Sequence, residues 1–133
     1  MWAAFQSAKF WVTLGAILAG TAVVLGAYGS HILDGGEEVS DTFSLSVQYH
    51  MWHALGLLAV GWQCSVGSEP KTWAAFSGVL FTTGIFLFSG NLYVFAITGN
   101  PAIIAATRVG GFCFIGGWIF LALASFLQKR EDN

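Results

Sequence analysis

Two histidines one helical turn apart are the residues of this chain best suited to chemistry. His50 and His53 lie in a stretch that begins polar and aromatic at Val47 and becomes apolar as far as Trp62. Residues at i and i+3 share a helix face, so both imidazoles are expected to point the same way. Neutral imidazole can ligate zinc or copper, supply one axial haem ligand, or hold a quinone carbonyl.

The same spacing also has an explanation that needs no ligand. A histidine inside a membrane bundle can hydrogen-bond to a neighbouring helix, and no third ligand at a fixed spacing accompanies this pair. We therefore predict structural histidines, no metal and no resident cofactor, with a quinone or haem as the alternative. His53 is expected to face the bundle interior and to bond to Asn91 or Ser89, because a helix joined by a short turn lies alongside.

The composition indicates which solvent these helices meet. The chain has 133 residues, of which 56% are hydrophobic and only 9% charged, whereas soluble domains carry about 25% charged residues. A short chain cannot bury so much apolar surface in water, so the excess is expected to face the lipid bilayer. A net charge of -2 and the lack of a basic patch give no support to a nucleic-acid partner.

Apolar stretches of spanning length predict an all-α integral membrane protein, an antiparallel four-transmembrane-helix bundle forming a single domain over residues 1–133. The four helices are predicted at about residues 10–28, 41–66, 71–98 and 102–127. Ser40 or Asp41 is expected to cap the second helix.

Small residues at helical spacing predict how these helices pack. In the first helix they recur at steps of four and three: Gly15, Ala19, Ala22, Gly26 and Gly29. The third helix repeats Ser77, Gly84 and Asn91, and the fourth carries Gly110, Cys113, Gly117 and Ala124 on one side. Seams of small residues let membrane helices approach closely.

Charges predict the orientation of the bundle. Four spans place both termini on one side, which also carries most of the cations: Lys9, Lys71, Lys129 and Arg130. The positive-inside rule makes this side cytoplasmic, or the matrix in a mitochondrion. Three tryptophans at the same helix ends, Trp11, Trp62 and Trp73, are expected to form an interfacial belt.

Polar groups concentrate toward the opposite, outer end. They are His31, His50, His53, Ser89, Asn91, Tyr93, Thr107 and Arg108. Polar groups within membrane helices are costly and mark functional candidates. The candidates for a binding site are His31, His50, His53, Asn91 and Arg108. Arg108 is expected to snorkel to headgroups, to pair with Asp34 or Glu37, or to meet an acidic partner. The sequence shows no catalytic arrangement, so an enzyme is not expected.

Several local motifs resemble those of one family. They are Gly26–His31, Tyr49–Leu55, Leu87–Tyr93 with Ile97–Gly99, the pair Gly110-Gly111, and Gly117-Trp118. Together they resemble the YgdD-like family of small membrane proteins, a catalogued domain of unknown function that includes the animal transmembrane protein 256. The resemblance covers nearly the whole chain. It implies a bacterial inner (plasma) membrane or a mitochondrial inner membrane, and it supplies no activity. The chain departs from the family at Thr107-Arg108, where Thr-Pro is usual, and at His50, often glutamine in bacterial relatives.

Two functional hypotheses follow. The first is a non-catalytic accessory or assembly subunit that packs against other membrane-protein subunits, such as a respiratory or photosynthetic complex, or against itself. Its motivation is the number of glycine-rich faces, which exceeds what one four-helix core needs. The second is a small-molecule-binding or redox protein that uses the outer histidine cluster for a quinone, haem or metal.

Overall fold

The computed structural model describes residues 1–31, 33–66 and 71–128, and all regular structure in these ranges is helical. The α-helices are α1 (Trp2–Phe5), α2 (Ala8–His31), α3 (Gly36–Val66), α4 (Thr72–Gly84), α5 (Asn91–Thr98) and α6 (Ile104–Phe126). A π-helical segment, Ile85–Gly90, joins α4 to α5, and a 3-10 turn, Pro101–Ile103, precedes α6. The helix α4, the π segment and α5 form one continuous rod.

Three of these helices are long and apolar enough to cross a bilayer. They are Ala8–His31, the rod Thr72–Thr98, and Ile104–Phe126. Helix α3 is longer than a span requires but carries more polar residues, several of them buried. Since side chains buried within protein do not meet lipid, the polar character of α3 reflects its position between the other helices.

Consecutive helices run antiparallel, so the bundle has two ends. The proximal end is where α2 begins and α3 ends; the distal end contains the turns at residues 33–35 and Gly99–Asn100. Helix α2 packs along α3, α6 packs along the rod, and α3 packs against the rod between them. Direct contact between α3 and α6 is sparse. A lateral groove is therefore left between these two helices.

The small-residue seam predicted in the first helix forms the α2–α3 interface. A Cβ placed on Gly15 would lie 2.9 Å from the carbonyl oxygen of Ala54, and one on Gly29 would lie 2.6 Å from the ring of Phe43. On the α3 side, Gly61 approaches the backbone of α2 in the same way. The two helices are thus in backbone-to-side-chain contact along their length, as a small-residue seam allows.

The second helix begins earlier than the sequence predicted. It starts at Gly36 rather than near residue 41, so Ser40 and Asp41 lie inside it and the expected cap is wrong. Gly36 has φ +78°, a backbone conformation that glycine adopts without strain. Glu37 and Glu38 occupy the first turn, where carboxylates interact favourably with the helix dipole.

The π segment explains a set of side-chain hydrogen bonds to the rod. A π turn shifts the backbone bonding pattern and leaves carbonyls that need other donors. Ser46 Oγ donates to the carbonyl oxygen of Ser89 over 2.7 Å, and Asn91 Nδ2 donates to that of Leu87 over 2.6 Å. On the other side Gly110 lies against the segment, since a Cβ there would be 2.5 Å from Phe88 N. The segment is therefore held by both α3 and α6.

The expected tryptophan belt is wrong for one of its members. Trp11 is 1% exposed and packs against Gly78 of α4, with its indole nitrogen donating to the carbonyl oxygen of Phe5 over 2.7 Å. Trp62 is exposed, and Trp73 stacks on Phe120. Position near a helix end suggested an interfacial residue, but the helix face on which Trp11 lies points to α3 and α4.

Candidate functional site

His53 lies at the middle of the α3–α6 contact with both ring nitrogens engaged. Nδ1 donates to the carbonyl oxygen of Tyr49 over 2.7 Å, and Nε2 accepts the indole N–H of Trp118 over 3.2 Å. Because a carbonyl can only accept and an indole can only donate, this pairing fixes the neutral Nδ1–H tautomer. The ring also stacks on Phe114, with centroids 3.5 Å apart and planes 9° apart.

His53 faces the interior, as the sequence predicted, but its expected partners are wrong. Asn91 uses its amide on its own helix, and the hydroxyl of Ser89 is buried without a partner among the described residues. The partner is Trp118 on α6 instead. The rod that follows α3 in the chain does pack beside α3, as the sequence predicted. The sequence did not show that α6 also reaches the face of α3 that carries His53.

The two histidines do not form one site. His50 is buried and its Nδ1 is 3.1 Å from the hydroxyl of Tyr93 on α5, whereas His53 bonds to α6. Both rings face the interior, as expected of residues at i and i+3, but the roughly 60° between these two positions lets each ring bond to a different helix. His31, the third predicted histidine, is exposed at the distal end of α2.

A metal centre built from these histidines finds no geometric support. Within residues 1–31, 33–66 and 71–128, no three side chains of His, Cys, Asp or Glu lie together as metal ligands would. His53 could ligate a metal or haem only by giving up the hydrogen bond from Trp118. His50 keeps one nitrogen, Nε2, buried and unpaired among the described residues.

A groove of about 730 Å³ opens beside His53 between α3 and α6, within the range of about 300–1,000 Å³ usual for ligand sites. Its walls are almost entirely apolar and aromatic. They comprise Tyr49, Trp52 and His53 of α3, Phe88 of the π segment, and Arg108, Gly111, Phe112, Phe114, Ile115 and Trp118 of α6. A second, smaller recess continues past Trp118 toward the proximal end, between Ala59, Trp62 and Ser125.

Arg108 lies at the distal mouth of the groove. Its side chain is exposed, and it has no ion pair with any described residue. Of the three alternatives that the sequence left open for Arg108, the pairing with Asp34 or Glu37 is therefore not formed. Asp34 instead lines a different recess, together with Glu38 and the end of α5. The cation is therefore available to a group that lies in the groove or at the membrane surface.

Sequence reasoning missed three aromatic residues of this site. Trp118, Phe114 and Phe88 line the groove, yet Trp118 and Phe88 appeared in the sequence only as members of family motifs, and Phe114 was not singled out. A signal was present, since a tryptophan in the middle of an apolar helix brings an N–H that needs an acceptor. Which helix supplies that acceptor depends on packing that the sequence does not reveal.

Comparison with known proteins places the chain in a family. A family model described as "Protein of unknown function (DUF423)" matches residues 25–111. A UPF0382 membrane protein of Staphylococcus haemolyticus is 35% identical over 89% of this chain and 96% of its own length. The UPF0382 membrane protein YwdK of Bacillus subtilis is 39% identical over 88% of this chain and 96% of its own length. No solved structure gives a significant match. The resemblance seen in the sequence is thereby confirmed, and the chain belongs to the DUF423 (UPF0382) family of membrane proteins of unknown function.

Proposed function

We propose that this protein is a non-catalytic membrane protein that holds an amphipathic molecule in the groove between α3 and α6. The observation that carries the proposal is the groove itself: a recess of about 730 Å³ with aromatic walls and, at its distal mouth, Arg108, which has no ion pair among the described residues. Sites that combine an apolar cavity with few polar groups are typical of small-molecule binding.

The hydrogen bonds of His53 favour a binding function over redox chemistry. Both of its nitrogens are already bonded within the protein, and the indole N–H of Trp118 is used in the same pair. His53 and Trp118 therefore offer no free donor to a quinone carbonyl, and His53 offers no free nitrogen to a haem iron. What remains at the floor is apolar contact, which suits a hydrocarbon chain.

The groove walls also favour a chain-like ligand over a partner helix. Close docking of membrane helices uses small residues that let backbones approach. Here the rim carries Phe112, which is 72% exposed, with Ile115 and Trp118 also exposed. Such large side chains keep another helix backbone at a distance, whereas a flexible hydrocarbon chain can lie between them.

The depth of the site depends on the topology, for which we propose four spans. Helix α3 contacts α2 from Phe43 opposite Gly29 to Gly61 opposite Val12, so if α2 crosses the bilayer then α3 does too. Residues 8 and 126 then lie on one side. Lys9 and Lys71 lie at that proximal end, which favours a cytoplasmic or matrix location for it. Lys129 and Arg130, which the sequence assigned to the same side, fall outside the described residues. Named relatives from bacteria support an inner (plasma) membrane.

Photo-crosslinking tests the binding proposal. The purified protein in nanodiscs is exposed to a phospholipid with a diazirine in its acyl chain, and the labelled residues are mapped by mass spectrometry. We expect labelling to concentrate on Phe112, Ile115 and Trp118. Uniform labelling over all lipid-facing sides would show only annular lipid and remove the proposal.

A matched pair of glycine variants supplies the control. Gly111 lines the groove, and a Cβ there would lie 3.9 Å from the nearest atom, in Phe88. The Cβ of Gly111→Leu therefore meets no close neighbour, and the rest of the side chain is expected to occupy the groove. Gly20 on α2 has nothing within 4 Å of its Cβ position, so Gly20→Leu makes the same chemical change on an open face. Groove labelling should be lost in the first variant and kept in the second.

An accessory role in a larger membrane complex, or self-association, is a second proposal. Several of the glycine faces that motivated it are used inside the bundle, but Ala16 and Gly20 are exposed four residues apart on α2. This is the small-xxx-small spacing of close helix pairs. Mild-detergent extraction and native mass spectrometry should show a stoichiometric partner that Gly20→Leu releases. A lone monomer in the unmodified protein would remove this role.

A further inference from the structure

We infer that the molecule held in the groove is an anionic phospholipid, with its headgroup at Arg108 and one acyl chain running to Trp118. This inference rests on the proposed binding function and names the class of ligand. It depends on three observations: the position of the charge, the length of the groove, and the polar group that lies between its ends.

The charge selects the headgroup. Arg108 is exposed at the groove mouth without an ion pair among the described residues. Guanidinium presents a planar set of donors that fits phosphate oxygens. No acidic side chain is among the described residues that line the groove, and Asp34 and Glu38 line a different recess, bordered by α5. A ligand that places negative charge beside Arg108 therefore gives this guanidinium a counter-charge that no described residue supplies.

The length selects a lipid rather than a small anion. Arg108 and Trp118 both line the groove and are ten residues apart on α6, which corresponds to about 15 Å along the helix. This is half of the roughly 30 Å hydrocarbon thickness of a bilayer. An acyl chain that runs from a headgroup at Arg108 to Trp118 therefore has about the length of one leaflet's hydrocarbon layer.

Tyr49 provides the polar group below the headgroup. It lines the groove one helical turn nearer the distal end than His53, and its hydroxyl has no hydrogen-bond partner among the described residues. A phenol can donate to a phosphate or ester oxygen. Beyond Tyr49 the floor consists of aromatic rings, with Tyr49 and Phe88 centroids 4.6 Å apart. The order of cation, phenol and apolar wall matches the order of headgroup, ester and chain.

The test compares two photo-reactive lipids with the same acyl chains, phosphatidylglycerol and phosphatidylcholine, in nanodiscs. In the unmodified protein we expect phosphatidylglycerol to label the groove about fivefold more than phosphatidylcholine. This ratio is what the attraction between one Arg side chain and an anionic headgroup would produce near a membrane surface. Arg108→Gln should abolish this preference, Arg108→Lys should keep most of it, and Tyr49→Phe should lower labelling by both lipids. Added salt should reduce the preference.

The outcomes separate this inference from the function on which it rests. Equal groove labelling by both lipids in the unmodified protein would overturn the anionic headgroup and leave the binding function standing. Preference that persists in Arg108→Gln would overturn the role of Arg108. No groove labelling by either lipid would remove the binding function itself. Arg108 is exposed, so its variants are expected to fold, and an unchanged unfolding midpoint checks this.

Discussion

The indole N–H of Trp118 on α6 donates to Nε2 of His53 on α3 over 3.2 Å, at the floor of a groove where these two helices otherwise touch little. The bond does two things at once. It satisfies a buried imidazole that would be costly to leave unpaired in hydrocarbon, and it joins the first helix pair, α2 and α3, to the last helix. The groove is therefore closed at its base and open to lipid at its side.

A double-mutant cycle on this pair should show a direct coupling. His53→Leu removes the acceptor, Trp118→Phe removes the donor and keeps an aromatic ring, and each should lower the free energy of unfolding. The coupling energy is expected at about 0.6–1.7 kcal/mol, the range of interhelical hydrogen bonds in membranes. Unfolding in mixed micelles by titrated denaturing detergent provides the measurement.

Two comparisons control that cycle. Trp62 is 62% exposed at the proximal end, so Trp62→Phe should change the free energy of unfolding little. His50→Gln should be milder than His53→Leu, because an amide can keep a hydrogen bond to the hydroxyl of Tyr93. Strict additivity of the His53 and Trp118 variants would show that the bond contributes nothing.

Adjacent glycines on α6 should respond in opposite ways to alanine. In Gly110→Ala the new Cβ would lie 2.5 Å from Phe88 N, a backbone atom that cannot move without disturbing the π segment. Overpacking of this kind costs about 1–3 kcal/mol. In Gly111→Ala the nearest atom is 3.9 Å away in a side chain, so stability should be unchanged or slightly higher.

Circular dichroism and the unfolding midpoint measure both glycine variants. Similar destabilisation by the two changes would mean that the tight contact at Gly110 is not specific. No loss of stability in Gly110→Ala would show that the π segment has room to shift away from α6.

Features that depend on residues close together in the chain could be predicted from the sequence, whereas features that depend on contacts between distant helices could not. The seam at Gly15, Gly26 and Gly29 was readable because its signal is periodicity within one helix. The interior position of His53 was readable because an unpaired imidazole in lipid is expensive. That Trp118 would be the hydrogen-bond partner of His53 could not be predicted, because this pairing depends on where α6, which is distant in the chain, packs against α3.

The π segment is a second feature that the sequence did not predict, again because it depends on contacts between distant helices. Residues 71–98 were predicted as one regular apolar helix, and nothing in their periodicity indicates the widened turn at Ile85–Gly90. That turn depends on donors from elsewhere, notably Ser46 of α3. Likewise Lys9 and Trp11 suggested a membrane interface, while the contact of Trp11 with Gly78 came from tertiary packing.

Removing the hydroxyl of Ser46, which donates to the π segment, should destabilise the rod. Ser46 is fully buried and its hydroxyl donates to the carbonyl oxygen of Ser89. Ser46→Ala leaves that carbonyl without its side-chain donor and should cost about 1–2 kcal/mol. Ser65→Ala is the matched control, because its hydroxyl is exposed and bonds within its own helix to Trp62. Amide hydrogen exchange should rise around residues 85–90 in the first variant only; equal exchange in both would contradict the role of Ser46.

Cysteine labelling should establish whether α3 is the fourth span. Asp34 precedes α3 and is exposed, Lys71 follows it, and the native Cys64 and Cys113 can be replaced by serine or alanine to remove background. If α3 crosses the bilayer, the two positions lie on opposite sides, since the interval between them contains a single crossing. In intact cells or protoplasts, a membrane-impermeant maleimide should then label Asp34→Cys directly and Lys71→Cys only after permeabilisation. Labelling of both from the same side would place α3 along the membrane surface and overturn the four-span topology. The reverse pattern, with Lys71→Cys labelled from outside and Asp34→Cys only after permeabilisation, would keep four spans but invert the orientation that the cations at the proximal end predict.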